Sequence, residues 1–141
     1  MTYTLLCVDD DSQKLNTITA LLKREGYDVI TAPMGAEALK LFAEKHIDLA
    51  VVDHYMPGMS GDVLAAEMKR IKAAVPVVLF SGSFNLPEMV IAIVDGFVSS
   101  SEDFSALLNK IAELLPPRQS TPYQFVPYCS GSDVRPESSE V

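Results

Sequence analysis

Acidic side chains crowd the sequence at two points where an apolar run ends. The run LLCV is followed directly by Asp9, Asp10 and Asp11, and the run LAVV is followed by Asp53. If both runs are strands of one parallel sheet, Asp9, Asp10 and Asp53 meet at its carboxyl edge. Clustered carboxylates raise each other's pKa unless a cation neutralises them. The spacing therefore predicts a site for a hard divalent cation, and Mg²⁺ fits best because it binds through one or two carboxylates, waters and phosphate.

A simpler role exists for each aspartate taken alone. An aspartate just after a strand is often the N-cap of the next helix, and Asp11 or Ser12 is the expected cap of the first helix. The convergence of three carboxylates at neighbouring strand ends is harder to explain by capping. We therefore assign the cation to Asp9, Asp10 and Asp53 and the cap to Asp11 or Ser12.

The elements that would position these residues alternate along the chain. Continuous apolar runs typical of strands buried on both faces occupy 5–8, 49–52 and 75–80, and weaker strands are expected at 27–31 and 96–99. Helix-period segments separate them, at 15–22, 38–42, 63–71, 87–96 and 104–115, with Gly26 as the expected end of the first. Strand and helix alternating five times predict an α/β protein with a doubly wound parallel sheet.

Composition limits the possible partners and location. The 141 residues are 48% hydrophobic, enough for a core, and the net charge of −8 makes nucleic acid and anionic membrane poor partners. The start of the chain lacks a basic segment and a long apolar core, and no apolar run is long enough to span a bilayer, so we expect a cytoplasmic protein. Cys7 and Cys129 match no disulfide framework or metal spacing, which predicts free thiols.

The predicted domain ends near residue 115. Residues 116–141 carry five prolines and five serines with no apolar period, which favours a flexible tail. Its cluster YQFVPY is a possible docking peptide or strap over the domain, although a solvated tail is the simpler expectation.

Residues 1 to about 115 resemble the receiver domain of two-component response regulators. The resemblance rests on the acidic pair in VDDD, the aspartate and Met-Pro-Gly loop of VVDHYMPGMSG, the hydroxyl residue of VVLFSGS and the aromatic Phe97. It implies a flavodoxin-like fold with strand order 2-1-3-4-5. It also implies a signalling domain whose only chemistry is Mg²⁺-assisted phosphorylation and dephosphorylation of itself, rather than an enzyme.

The resemblance also implies a role for each motif residue. Asp53 would accept a phosphoryl group from a phosphohistidine or a small phosphodonor. Asp10 would bind Mg²⁺ directly and Asp9 mainly through a water, while Asp53 and the backbone carbonyl of Tyr55 complete the ligands. Ser81 would hydrogen-bond the phosphoryl oxygens, and its shift would let Phe97 turn inward as the family's switch.

One family feature is missing. The fifth strand of the family normally ends in a lysine that pairs with the acidic pocket, and here Ser100 stands at that place. No Lys or Arg occurs between Ala73 and Asn109. The three aspartates and Mg²⁺ then leave the site at −1. Lys14, one turn past Asp10, is a candidate substitute, although a solvent-exposed lysine is the ordinary expectation.

Two functions are compatible with this departure. The protein is still phosphorylated with stronger dependence on Mg²⁺, or it is a phosphorylation-independent pseudo-receiver that binds partners. A more remote alternative is a phosphatase of the haloacid dehalogenase type, since Asp9 and Asp11 have the spacing of its motif, but Gln13 departs from that motif.

Expected partners are a sensor histidine kinase or phosphotransfer protein and an unknown downstream protein. The apolar segment between Pro87 and Gly96 is either a docking face, including for a homodimer through that helix and the fifth strand, or a helix buried by the tail. His46 and His54 have no neighbouring ligand and are expected at the surface.

Overall fold

A computed structural model describes residues 2–82, 92–99 and 104–116. Ser100, residues 87–91 of the helix predicted at 87–96 and all but the first residue of the predicted tail lie outside these ranges, so the interpretations placed on them stay predictions. In the part of the chain that the structure describes, no helix combines the length and apolar character needed to cross a bilayer.

Five parallel strands form one sheet with helices on both faces. The strands are β1 (Thr4–Val8), β2 (Asp28–Ala32), β3 (Leu49–Val52), β4 (Val77–Ser81) and β5 (Gly96–Ser99). The described helices are α1 (Ser12–Arg24), α2 (Gly35–Glu44), α3 (Gly61–Ile71) and α4 (Phe104–Leu114). The order across the sheet is β2-β1-β3-β4-β5, which confirms the predicted doubly wound fold.

The continuous apolar runs have a direct structural reason. Successive side chains of a strand point to opposite faces, and each face of this sheet is covered, so both must be apolar. Even-numbered β1 residues such as Leu6 pack with Phe42 of α2 and Leu64 of α3 in one core. Odd-numbered ones such as Leu5 pack with residues of α1 and α4, among them Leu107, in a second core.

The ends of α1 follow from two short signals in the sequence. The Asp11 side chain accepts hydrogen bonds from the backbone N–H of Gln13 at 3.0 Å and of Lys14 at 3.3 Å, so Asp11 is the N-cap. Gly26 follows the helix with a positive φ of 94°, a conformation that glycine adopts without steric cost. Both predictions for this helix are confirmed, and its first turn is fixed beside the acidic cluster.

The predicted fourth strand began too early. The apolar run starts at Val75, but β4 begins at Val77. Pro76 lacks an N–H and contributes only its carbonyl, which accepts a hydrogen bond from the Ala50 N–H at 3.0 Å.

Candidate functional site

The ends of β1 and β3 bring three carboxylates together. These strands are neighbours with Val8 paired to Val52, so Asp9 and Asp53 follow at the same level of the sheet. The Asp53 N–H donates to the Val8 carbonyl at 3.0 Å, which continues the pairing past the strand ends. One carboxylate oxygen from each of Asp9, Asp10 and Asp53 lies within 4.8 Å of the others. The structure therefore brings together the three acidic residues that the sequence singled out.

The three consecutive aspartates of the first strand end differ in exposure. Asp9 is buried at 3% exposure, whereas Asp10 and Asp11 are exposed. Asp9 also accepts a hydrogen bond on Oδ1 from the Asp11 N–H at 3.0 Å, which orients its carboxylate. Asp11 directs its own side chain to the start of α1 and takes no part in the cluster. The exposed Asp10 gives the cluster an open side.

The environment of Asp53 raises the pKa of its carboxyl above the usual range. Burial is the largest cause, followed by the negative charge of Asp9, with a smaller contribution from Asp10. The Lys14 ammonium and the His54 backbone N–H act in the opposite direction. The balance means that an additional positive charge would be bound favourably beside Asp53.

The oxygen donors present suit a divalent cation. Three carboxylates at mutual distances below 4.8 Å form an acidic group of hard ligands, and no thiol or imidazole is among them. This donor set fits Mg²⁺ or a similar hard ion.

Lys14 is mostly shielded from solvent, although an exposed position is ordinarily expected of a lysine in the first turn of a helix. Its Nζ lies 3.2 Å from Asp9 Oδ2 and 3.9 Å from Asp53 Oδ1, and its side chain is only 23% exposed. The ammonium also stands over the Phe80 ring, 5.1 Å from the ring centroid. The first turn of α1 and the apolar ring on β4 thus direct Lys14 into the acidic cluster.

The loop after Asp53 returns tightly to the strand end. The Gly61 N–H donates to the His54 carbonyl at 2.7 Å, and Gly58 has a positive φ of 84°. A side chain on Gly61 would collide with the Asp53 carbonyl oxygen and lie 2.7 Å from His54 Cα. Only glycine fits this approach, so Gly61 is a site-shaping residue that the search for chemical groups in the sequence missed.

The surface position expected for His54 is wrong. The residue is 8% exposed and its ring meets the Tyr55 ring edge to face at a centroid distance of 4.5 Å. Its Nδ1 lies 3.9 Å from Asp62 Oδ1, and the Asp62 carboxylate accepts a hydrogen bond from the Ser60 hydroxyl, which lowers the pKa of Asp62. The return of the loop at Gly61 places Asp62, in the first turn of α3, beside the ring. His46 is exposed, as predicted.

The other predicted site residues lie on the neighbouring strands. Ser81 is fully buried at the end of β4, where it pairs with Ser99 of β5. Phe97 is half-buried and packs against the core that includes α2 and α3. Tyr55 is 61% exposed, close in sequence to Asp53. Ser81 therefore shares the carboxyl edge of the sheet with the acidic cluster, whereas Phe97 lies two residues before the end of β5.

Comparison with known proteins identifies a family for most of the chain. The model of the response regulator receiver domain matches residues 5–112. The transcriptional regulatory protein GlrR of Escherichia coli (strain K12) is 35% identical over 121 residues, which are 84% of this chain and 27% of that protein. The heme response regulator HssR of Staphylococcus aureus (strain MRSA252) is 34% identical over 110 residues, 78% of this chain and 47% of that protein. The chain thus spans between about a quarter and a half of the length of these relatives.

Solved structures of receivers have the same fold. The response regulator protein TrrA of Thermotoga maritima, in complex with Mg²⁺ and BeF, is 31% identical with a TM-score of 0.78, and covers 81% of this chain and 100% of its own. The same regulator in complex with the histidine kinase ThkA is 33% identical with a TM-score of 0.77, covering 82% of this chain and 100% of its own.

Proposed function

Because this chain belongs to the response regulator receiver domain family, we propose that Asp53 accepts a phosphoryl group in a two-component phosphorelay with the help of Mg²⁺. The single observation that carries the proposal is the convergence of Asp9, Asp10 and Asp53 within 4.8 Å at the carboxyl edge of the sheet. The same family places the protein among signalling domains. The cytoplasmic location expected from the sequence is part of the proposal.

Asp53 acts as the nucleophile in the proposed reaction. A bond forms between its carboxylate oxygen and phosphorus, and the bond from phosphorus to the donor atom breaks. The donor atom leaves with the electron pair and takes up a proton from solvent. Such a transfer depends mainly on positioning and charge neutralisation, and the fixed main chain around Asp53 supplies the positioning.

The carboxylates of Asp9, Asp10 and Asp53, with the carbonyl of Tyr55, would hold the cation. When bound, Mg²⁺ supplies positive charge that neutralises the carboxylates and the phosphoryl oxygens. Asp10 is the exposed member of the cluster and suits direct coordination, whereas the buried Asp9 is already hydrogen-bonded through Oδ1. The role of Asp9 through a water follows from the family resemblance.

Ser81 and Phe97 form the proposed switch. The buried Ser81 hydroxyl would donate to a phosphoryl oxygen, and its movement would allow Phe97 to turn inward. The position of Ser81 beside Ser99 at the end of adjacent strands supports a coupled response of β4 and β5.

A histidine kinase or phosphotransfer protein is the proposed phosphodonor. The Thermotoga maritima regulator of similar sequence is found in complex with a histidine kinase, which supports this choice. The downstream partner is proposed to be a protein. The net charge of −8 predicts that nucleic acid is not a partner. One relative is named a transcriptional regulatory protein, which does not support that prediction.

The test is the mass of the protein after incubation with phosphoramidate and Mg²⁺. We expect a gain of one phosphoryl group that requires Mg²⁺ and is absent in Asp53→Asn. Asp11→Asn is the matched control, because it removes a neighbouring carboxylate while asparagine caps α1 equally well. No gain from phosphoramidate or from a kinase would instead favour the pseudo-receiver.

The phosphatase alternative has no support from the structure or the family match. Its motif needs the Asp11 carboxylate in the site, and this side chain caps α1 instead. Turnover of a generic phosphate ester by the wild-type protein would contradict this conclusion.

A further inference from the structure

Lys14 is the cation that the structure places in the acidic cluster. Its ammonium contacts the Asp9 carboxylate at 3.2 Å and approaches that of Asp53 at 3.9 Å. Two carboxylates that follow the ends of two different strands therefore share one lysine, and that lysine comes from a helix rather than from the fifth strand.

Two features hold the Lys14 side chain in this direction. Its backbone is fixed in the first turn of α1, which Asp11 caps. Its ammonium stands over the ring of Phe80, a residue only 2% exposed and packed in the core beside α1. The buried ring and the capped start of the helix restrict the directions open to the Lys14 side chain, which lowers the entropy cost of forming the ion pair.

We propose that Lys14 takes over the task of the missing fifth-strand lysine and provides the fixed positive charge for phosphoryl transfer to Asp53. Asp9, Asp10 and Asp53 carry −3, and Lys14 together with a divalent cation brings the pocket to neutrality. The pocket thus does not keep the residual charge of −1 that Ser100 alone would leave. Lys14 is a positioning and charge-neutralising residue, and its effect on transfer rests on the proposed function.

This role predicts opposite effects on metal binding and on phosphoryl transfer. A lysine in the cluster repels Mg²⁺, so replacing it with the similarly shaped Lys14→Met should tighten Mg²⁺ binding roughly three- to tenfold. The same replacement leaves the incoming phosphoryl group with less positive charge, so the rate constant at saturating Mg²⁺ should fall about tenfold or more.

The experiment measures both quantities in each variant. Mg²⁺ affinity is determined by isothermal titration calorimetry, and phosphorylation by phosphoramidate is followed at saturating Mg²⁺. Lys14→Arg keeps the positive charge and should hold both quantities within about threefold of wild type, since the proposal attributes both effects to that charge. Lys23→Met removes an exposed lysine near the other end of the same helix and should change neither.

The combination of outcomes separates this role from others. A loss of both affinity and rate in Lys14→Met would mean a structural role and would overturn the proposal, as would a gain of both, which indicates simple competition with Mg²⁺. Unchanged values would also overturn it. If wild type takes up no phosphoryl group, the proposed function fails independently, and the calorimetry then decides whether Lys14 is the counter-charge of the pocket.

Discussion

The environment of Asp53 raises the pKa of its carboxyl, because burial and the negative charge of Asp9 both oppose ionisation. An acidic group whose pKa is raised by folding destabilises the folded state at any pH where the group is ionised. The position that carries the proposed chemistry is therefore expected to lower the stability of the domain, as is common for functional sites.

Asp53→Asn should stabilise the metal-free protein at pH 7.5 by about 0.5–2 kcal/mol, the range typical of relieving such a conflict. The sign follows from linkage, since the folded protein binds this proton more tightly than the unfolded chain. The difference in unfolding free energy between wild type and Asp53→Asn is present above the folded pKa and should disappear as pH falls below the ordinary value of 3.8. Urea unfolding in EDTA at pH 7.5 and at a pH below 3.8 measures this difference.

The matched control for this prediction is Asp11→Asn, which removes an exposed carboxylate outside the cluster and should leave stability nearly unchanged. Saturating Mg²⁺ should also stabilise wild type more than Asp53→Asn, because the variant lacks one ligand. Equal stabilities of wild type and Asp53→Asn at both pH values would contradict the argument.

At the scale of the elements, the loop between β3 and α3 is as important to the site as the strands. Gly61 and Gly58 both lie in it but for different reasons. Gly61 is packed against the main chain of Asp53 and His54, whereas Gly58 has a positive φ of 84° with open space around it.

Gly61→Ala should therefore lower the free energy of unfolding by about 1–3 kcal/mol, as overpacking does, and should also weaken Mg²⁺ binding by displacing Asp53. Gly58→Ala should cost only about 1 kcal/mol of backbone strain and leave Mg²⁺ affinity intact. Urea unfolding and calorimetric Mg²⁺ titration of the pair test this. Equal effects of the two substitutions on Mg²⁺ affinity would refute the distinction.

The proposal for Lys14 also concerns the elements, because it assigns to α1 the positive charge that the family resemblance implies for the end of β5. If Lys14 already neutralises the pocket, Ser100→Lys should change the phosphorylation rate of wild type less than threefold. In a Lys14→Met background the same substitution should recover most of the lost rate. Rates with phosphoramidate at saturating Mg²⁺ provide the measurement, and Ser105→Lys on the exposed start of α4 is the control lysine. A large gain in wild type would indicate that the pocket still lacks a charge.

The parts of the fold that the sequence predicted are those governed by local patterns. Continuous apolar runs predicted the buried strands, and Asp11 and Gly26 marked the ends of α1, because capping and helix termination depend on neighbouring residues. The convergence of Asp9, Asp10 and Asp53 followed from parallel strand order alone.

The errors have tertiary causes. Lys14 was expected in solvent, but its direction depends on Phe80, 66 positions away in the sequence and adjacent only in the fold. His54 was expected at the surface, but its burial depends on the return of the chain at Gly61. Neither contact has a signature in the local sequence.

At the scale of the whole molecule, the acidic cluster and the core are connected through β1. Cys7 lies in this strand two residues before Asp9, and it is 1% exposed within the core shared by α1 and α4. Burial raises the pKa of its thiol to about 12, so the native protein holds it unreactive. Labelling of Cys7 therefore requires unfolding of the structure around β1.

Mg²⁺ binding should protect Cys7 from thiol reagents. A ligand that binds only the folded state lowers the unfolded population, so labelling at pH 8 should slow about tenfold at an Mg²⁺ concentration ten times its Kd. The measurement uses Cys129→Ser to remove the second thiol, with urea added so that opening is measurable. Asp10→Asn, which removes a proposed cation ligand outside β1, should show much weaker protection. A rapid labelling rate that does not change with Mg²⁺ would mean that β1 opens independently of the acidic cluster. The proposed connection between the cation and the core would then fail.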